Sequence, residues 1–156
     1  EGLRDDEFLP FSGGSGFAAI VGHQQRAIID TVASAIGHGL CTRFPRLKIV
    51  PVENGSAWVR PLLADMARAF AFHPRLFDED PVAVFKRNVF VHPFHEDDPK
   101  GLVALLGADN VLFGSDYPHP EGMADPLGFV DDLEGLADDQ IEKIMGGNLA
   151  RLMNVD

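Results

Sequence analysis

The sequence has little cysteine, little positive charge and no long apolar run. The single Cys41 in 156 residues leaves no internal disulfide to form, which fits a reducing compartment. Only 13 Lys and Arg stand against 24 Asp and Glu, a formal charge of −11, so phosphate backbones and anionic lipids would be repelled. No apolar stretch approaches the ~18–20 residues of a membrane helix. We therefore predict a cytoplasmic protein that binds neither nucleic acid nor a membrane.

The start of the sequence has neither an initiator Met nor a strand pattern. Residues 1–16 are rich in acids, glycine, serine and proline, and we predict a loop there. The chain of 156 residues is 46% hydrophobic, enough to bury roughly 68–70% of its unfolded surface. We predict a single domain over 1–156, and the unusual start is typical of the interior of a longer chain.

Apolar spacing predicts an α/β protein. Apolar residues recur at helical spacing over 17–40, and short apolar runs at 47–52, 89–91 and 111–113 have the length of strands. Between the first two runs, helices are predicted to begin at Ser56 and at Asp80-Pro81. A further helix should begin at Asp98-Pro99, before the third run, and more helices end the chain. Strand–helix units of ~30 residues indicate parallel strands. We predict that the three strands are neighbours.

The stretch 110–122, with the sequence NVLFGSDYPHPEG, places Asp116 where the third predicted strand ends. Its two prolines and its last glycine oppose a helix, so Asp116, His119 and Glu121 should lie on a loop. That loop would be at the carboxyl edge of the sheet, where parallel sheets bind ligands. The alternative is that Asp116 only caps a turn, since Asp is a favoured turn residue.

Two earlier strand ends carry polar residues as well. Glu53 and Asn54 follow the run 47–52, and His92 follows the run 89–91. If the strands are parallel neighbours, these residues share one edge with the loop at 116–121. We predict Glu53 and His92 as catalytic groups and Asn54 as a substrate-binding group, like His119 and Glu121. The alternative for His92 is a hydrogen bond to a local backbone group.

Three separated stretches resemble amidohydrolase family 2. They are RFPRLKIV at 43–50, GADNVLFGSDYPH at 107–119 and IMGGNLARLM at 144–153. The family includes metal-dependent hydrolases and the aminocarboxymuconate-semialdehyde and resorcylate decarboxylases, and its members are (β/α)₈ barrels. The resemblance implies that 47–156 forms the last three βα units and the terminal helices of such a TIM barrel, so that this chain is its C-terminal portion.

The resemblance also implies a metal site. In this family a His-x-His pair on the first strand, a His on the fifth and an Asp on the eighth hold a divalent metal, commonly zinc. Asp116 matches the Asp of the eighth strand, and would be both a metal ligand and the general base for a metal-activated water. The sequence has no His-x-His pair. The remaining ligands are expected outside this chain, which alone would be incomplete and inactive.

The sixth strand departs from the better-known decarboxylases. They have a His-containing, Gly-rich turn where this sequence has Glu53-Asn54-Gly55. We therefore predict a metal-dependent hydrolase acting on a small molecule, with a decarboxylase of a small carboxylic acid as the alternative. A non-catalytic assembly module is a further alternative. The strand at 47–52 would lack its fifth-strand neighbour, so we expect a homo-oligomer or association with the missing N-terminal part.

Overall fold

Helices alternate with short extended segments in residues 25–94, 97–115 and 122–155, which a computed structural model describes. The helices are α1 (Arg26–Gly37), α2 (Leu40–Arg43), α3 (Val59–Phe72), α4 (Pro81–Asn88), α5 (Pro99–Leu106), α6 (Phe129–Asp132), α7 (Asp138–Glu142) and α8 (Asn148–Met153). Short 3₁₀ turns occupy Pro74–Leu76, Ala108–Asn110 and Pro126–Gly128. A short π-helix, Lys143–Gly147, joins α7 to α8, and the backbone of Gly146 within it is not helical.

The predicted helix at 17–40 is only partly within the described residues. The loop at 1–16 and the stretch 17–24 lie outside them, and α1 runs from Arg26 to Gly37. Residues 40–43 form the short helix α2. Cys41 is fully buried as a free thiol, and one helical turn brings it into the core. Burial raises the pKa of this thiol.

The helix starts predicted at Asp80-Pro81 and Asp98-Pro99 are confirmed. Asp80 Oδ1 accepts a hydrogen bond from Val82 N at 2.9 Å, and Asp98 Oδ1 accepts one from Gly101 N at 2.8 Å. Proline follows each cap at the first helical position, where no amide hydrogen is needed. These caps fix where α4 and α5 begin.

The predicted start of α3 at Ser56 was wrong. The helix begins at Val59, and the Ser56 hydroxyl instead donates a hydrogen bond to Asp97 Oδ2 at 2.9 Å. The Ser56 side chain is directed to Asp97, and no side-chain hydrogen bond caps the start of α3.

The three predicted strands are parallel neighbours, as expected. Ile49 pairs with Val89, and Val91 pairs with Val111, both in parallel. The amide of Phe90 donates to Ile49 O, and the amide of Leu112 donates to Val91 O, both at 2.9 Å. The chain order of the extended segments is therefore also their spatial order.

The strands are shorter than predicted. Pairing in the described residues is limited to isolated bridges, and only Ile49 of the run 47–52 takes part. Pro51 has no amide hydrogen to extend the ladder. At the other end, the Phe113 amide donates to Ile144 O at 3.0 Å, so that the third segment turns toward the terminal helices.

The core lies between the extended segments and the helices. The paired residues Val89, Val91 and Val111 are fully buried. They belong to one apolar cluster with side chains of α1, α3, α4 and α5. Trp58 and Phe85 meet at a ring separation of 6.0 Å between α3 and α4. Together these contacts hold the segments as one layer beneath the helices.

Buried asparagines close the amino ends of the extended segments. Each is at least nine-tenths buried and donates its amide hydrogens to two backbone carbonyls. The bonds run from Asn88 to Pro45 O (3.2 Å) and Leu47 O (2.6 Å), from Asn110 to Lys86 O (2.7 Å) and Val89 O (2.9 Å), and from Asn148 to Ala108 O (2.7 Å) and Val111 O (2.8 Å). Carbonyls that the short ladder leaves unpaired are thus satisfied.

Candidate active site at the carboxyl edge

The carboxyl ends of the three extended segments meet at one edge of the layer. Glu53 and Asn54 follow the first segment, His92 follows the second and Gly114 follows the third. Parallel pairing through Ile49–Val89 and Val91–Val111 places these ends side by side. In parallel α/β folds this edge carries the ligand site.

Among the described residues, His92 is the most deeply buried ionisable group at this edge. Its side chain is only 5% exposed, and its Nε2 lies 3.2 Å from the carbonyl oxygen of Gly114. A carbonyl oxygen can only accept, so Nε2 carries the hydrogen in this contact. Within the described residues the ring Nδ1 has no hydrogen-bond partner. The backbone alternative for His92 is therefore seen at Nε2, with the Gly114 carbonyl as the partner.

Position 114 needs a glycine, because the imidazole of His92 packs against its backbone. A Cβ atom at this position would lie 2.5 Å from His92 Nε2, which is much closer than van der Waals contact allows. The absent side chain lets the ring reach the backbone two residues before Asp116. His92 thus fixes the chain that leads into the candidate catalytic loop.

The turn after the first segment has an unusual backbone. Glu53 has φ 58° and Gly55 has φ 57°, both in the left-handed region. Asn54 Nδ2 donates to Val52 O at 2.6 Å, so this predicted substrate-binding side chain is committed to its own turn. The left-handed conformation is unfavourable for Glu53, because its Cβ crowds the backbone.

Asp97 ties this turn to the loop after His92. Its Oδ2 accepts hydrogen bonds from Ser56 N (2.7 Å), Ser56 Oγ (2.9 Å) and Phe94 N (3.0 Å). Sequence reasoning missed Asp97, because its neighbour Asp98 stands before a proline and has the clearer signal of a helix cap. A signal was available in the sequence: Asp97 is a second acid directly before Asp98, which already serves as the helix cap.

The third predicted strand end lies largely outside the described residues. Asp116, His119 and Glu121 fall there, so their positions relative to Glu53 and His92 stay predictions. In the ranges 25–94, 97–115 and 122–155, no group of three or more His, Cys, Asp or Glu side chains could hold a metal ion. The same ranges contain no helix long and apolar enough to cross a membrane.

Comparison with known proteins then decides the family. The sequence profile of the amidohydrolase family matches residues 17–155, nearly the whole chain. The chain belongs to the amidohydrolase family. An amidohydrolase of known structure from Mycobacterium avium subsp. paratuberculosis is 43% identical and superposes with a TM-score of 0.81, covering 87% of this chain and 35% of the other.

One further relative and one further protein of the same fold are decarboxylases. The 2-amino-3-carboxymuconate-6-semialdehyde decarboxylase of Dictyostelium discoideum is 26% identical over 137 residues, which cover 80% of this amidohydrolase chain and 36% of the relative. The 5-carboxyvanillate decarboxylase LigW of Sphingomonas paucimobilis has a TM-score of 0.70 at 24% identity, covering 98% of this chain and 46% of the other. The structural neighbours are amidohydrolase TIM-barrel proteins, and this chain spans about a third to a half of the length of these relatives.

Proposed function

We propose that this chain is the C-terminal portion of a metal-dependent TIM-barrel hydrolase that acts on a small molecule. The observation that supports it most is the parallel pairing of the three segments, which brings the ends at Glu53, His92 and Gly114 to one edge. Gly114 lies two residues before Asp116 in the sequence. Two neighbouring segments, one followed by a carboxylate in the sequence and the other by a buried imidazole, are suited to acid–base chemistry.

A divalent metal is part of this proposal. The amidohydrolase family generally binds one, and we propose zinc. The described residues do not form such a site among themselves; Asp116 would hold the metal with ligands from the remainder of the barrel. When bound, such a metal supplies a hydroxide-like water at neutral pH.

The residues of this chain would then bind the substrate and move its protons. Asp116 would accept the proton of the attacking water and pass it to the leaving group. His92, whose Nε2 donates to Gly114 O at 3.2 Å, would accept a hydrogen bond at Nδ1. Glu53 would act as a further acid–base group, with Asn54 and the loop residues His119 and Glu121 near the substrate.

Decarboxylation of a small carboxylic acid is the second candidate. It is supported by the relatives named as decarboxylases, one by sequence and one by fold. The carboxylate of Glu53 weighs against it, because it would repel a carboxylate substrate placed beside it. Incorporation of ¹⁸O from labelled water into the product indicates hydrolysis, and release of CO₂ without incorporation indicates decarboxylation.

The edge beside Ile49 should be covered by other protein. Leu47, Val50 and Val52 are 41%, 37% and 60% exposed, although the run has the composition of a buried strand. We propose that the N-terminal part of the barrel, or a second copy of this chain where that part is absent, pairs with it. Light scattering on the isolated chain tests this proposal, and a stable monomer would contradict it.

Substitution of the metal-binding carboxylate tests the enzymatic proposal. We expect Asp116→Asn to lower kcat/KM by at least about 10³-fold in the complete enzyme with zinc, because the ligand and the general base are lost together. Asp125→Asn is the matched control, since Asp125 Oδ1 only caps the turn at Pro126–Gly128. Unchanged activity of the Asp116 variant toward every substrate that the enzyme turns over would exclude the proposed role.

A further inference from the structure

The turn that presents Glu53 is held in a conformation it would not adopt alone. Glu53 has φ 58°, and non-glycine residues occupy that region only when their surroundings determine it. Loops without a special task place Gly or Asn at such positions. A glutamate at φ 58° is therefore held there by the contacts of its turn.

Three contacts hold the turn from outside. The buried Trp58 donates its indole hydrogen to Gly55 O at 2.8 Å. The ring of Phe94 lies against Gly55, where an added Cβ would approach Cδ2 to 2.7 Å. Asp97 Oδ2 accepts from both the amide and the hydroxyl of Ser56, at 2.7 and 2.9 Å.

Asp97 is the only charged group among these contacts, and it joins two loops. The same oxygen also accepts from Phe94 N at 3.0 Å, two residues after His92. Hydrogen bonds to an ionised carboxylate are stronger than those between neutral groups. Moving Asp97 would therefore release the Glu53 turn and the loop after His92 together.

We propose that Asp97 is a positioning residue that holds Glu53 in its strained conformation at the active-site edge. Asp97 does not contact the reacting atoms in this scheme; it acts through the turn. The catalytic part of this inference rests on the proposed function, whereas the mechanical part concerns the fold alone. The two parts are tested separately.

Backbone strain at Glu53 is tested by two substitutions that both remove the side chain. Glu53→Gly should melt about 2–4 °C above Glu53→Ala, because only glycine accepts φ 58° without strain. At an unstrained position the order is reversed, since alanine then loses less conformational freedom on folding. A higher melting temperature for the alanine variant would overturn the inference of strain.

The role of Asp97 is tested through the single tryptophan of the chain. We expect Asp97→Ala to speed hydrogen exchange of the Trp58 indole and the Ser56 amide at least tenfold by NMR. Asp97→Asn keeps an acceptor oxygen and should restore most of the protection. Asp98→Ala is the matched control, because it removes the cap of α5 and should leave both signals unchanged. Equal effects of the two alanine variants would overturn the proposal.

A double-mutant cycle tests whether Asp97 acts through Glu53. Asp97→Ala and Glu53→Gln should each lower kcat/KM about tenfold or more, and the double variant should be no slower than Glu53→Gln. Additive losses would overturn the positioning role while Asp116→Asn still abolished activity. If Asp116→Asn had no effect, the proposed function would fail, and the exchange results would still decide whether Asp97 holds the turn.

Discussion

The two edges of the extended layer are built in opposite ways. At the amino edge, Asn88, Asn110 and Asn148 are buried, and each satisfies two backbone carbonyls. At the carboxyl edge, Glu53 has φ 58°, and His92 Nδ1 is buried without a partner among the described residues. Among the described residues, the amino edge satisfies its polar groups, whereas the carboxyl edge contains a strained turn and a buried ring nitrogen with no partner.

This difference is informative because both costs lie on the same edge. Buried polar groups are nearly always hydrogen-bonded, so an exception requires a reason. Strained residues and unpaired acceptors occur together at ligand sites, where the remaining structure must compensate for them. Substitutions at the amino edge should therefore affect stability alone, and those at the carboxyl edge should affect chemistry as well.

The largest expected loss of stability comes from an amino-edge asparagine. Asn148→Ala should lower the free energy of unfolding by about 3 kcal/mol, since the carbonyls of Ala108 and Val111 would stay buried without donors. Urea unfolding measures it as a lower midpoint at an unchanged slope. Gln140→Ala is the control, because it removes a single surface bond to Ala137 N. Equal losses in the two variants would contradict the role given to the amino edge.

A methyl group added at the carboxyl edge should lower the free energy of unfolding somewhat less than Asn148→Ala does. Gly114→Ala forces its Cβ against His92 Nε2, and we expect a loss of about 1–3 kcal/mol, as for overpacked cores. Gly37→Ala offers a matched control, because a Cβ there meets no atom within 4 Å. If both alanine variants were as stable as the parent, His92 would not be wedged against Gly114 as described.

Sequence patterns predicted the parts of this fold that depend on local chemistry. The Asp-Pro pairs gave the starts of α4 and α5, and apolar runs gave the order of the parallel segments. The length of the first strand was predicted wrongly, because the extent of pairing depends on the neighbouring segment and not on the run 47–52 alone. The start of α3 was also predicted wrongly. The Ser56 hydroxyl donates to Asp97, 41 residues away in the sequence, and does not cap the helix.

The candidate site was predictable only in its outline. The position of His92 after an apolar run placed it at the edge, but the pattern could not show which ring nitrogen is engaged. The conformation of Glu53 has no sequence signal, because it arises from contacts of Trp58, Phe94 and Asp97 with the turn. The amino-edge asparagines did leave a signal, since Asn88 and Asn110 each stand directly before an apolar run.

Two substitutions of His92 separate the functions of its ring nitrogens. His92→Gln keeps a donor near the position of Nε2, so the bond to Gly114 O should persist and the stability should fall by under about 1 kcal/mol. His92→Asn resembles the Nδ1 side and should lose more stability. Activity should drop in His92→Gln, because the glutamine has no acceptor at the position of Nδ1. A fully active His92→Gln enzyme would show that Nδ1 has no part in the chemistry.

The smallest expected effect is the response of the amino edge to acid. Arg87 donates two hydrogen bonds to Glu79, at 2.6 and 3.0 Å, and its Nε donates to Asn88 Oδ1 at 3.0 Å. This ion pair therefore supports one of the buried asparagines. The hydrogen bond from Arg87, followed by one from Thr42, holds the pKa of Glu79 below its ordinary value.

A lowered pKa in the folded state means that unfolded Glu79 binds its proton more readily. The stabilisation is therefore complete above the ordinary glutamate pKa of about 4.3 and is lost as the pH falls through the lower, folded pKa. Glu79→Gln should narrow the difference in melting temperature between neutral and acidic pH by a small amount, because the pair is partly exposed to solvent. Glu134→Gln, at an exposed position, should leave that difference as it is in the parent. An identical pH dependence in parent and Glu79→Gln protein would show that the ion pair contributes nothing to the amino edge.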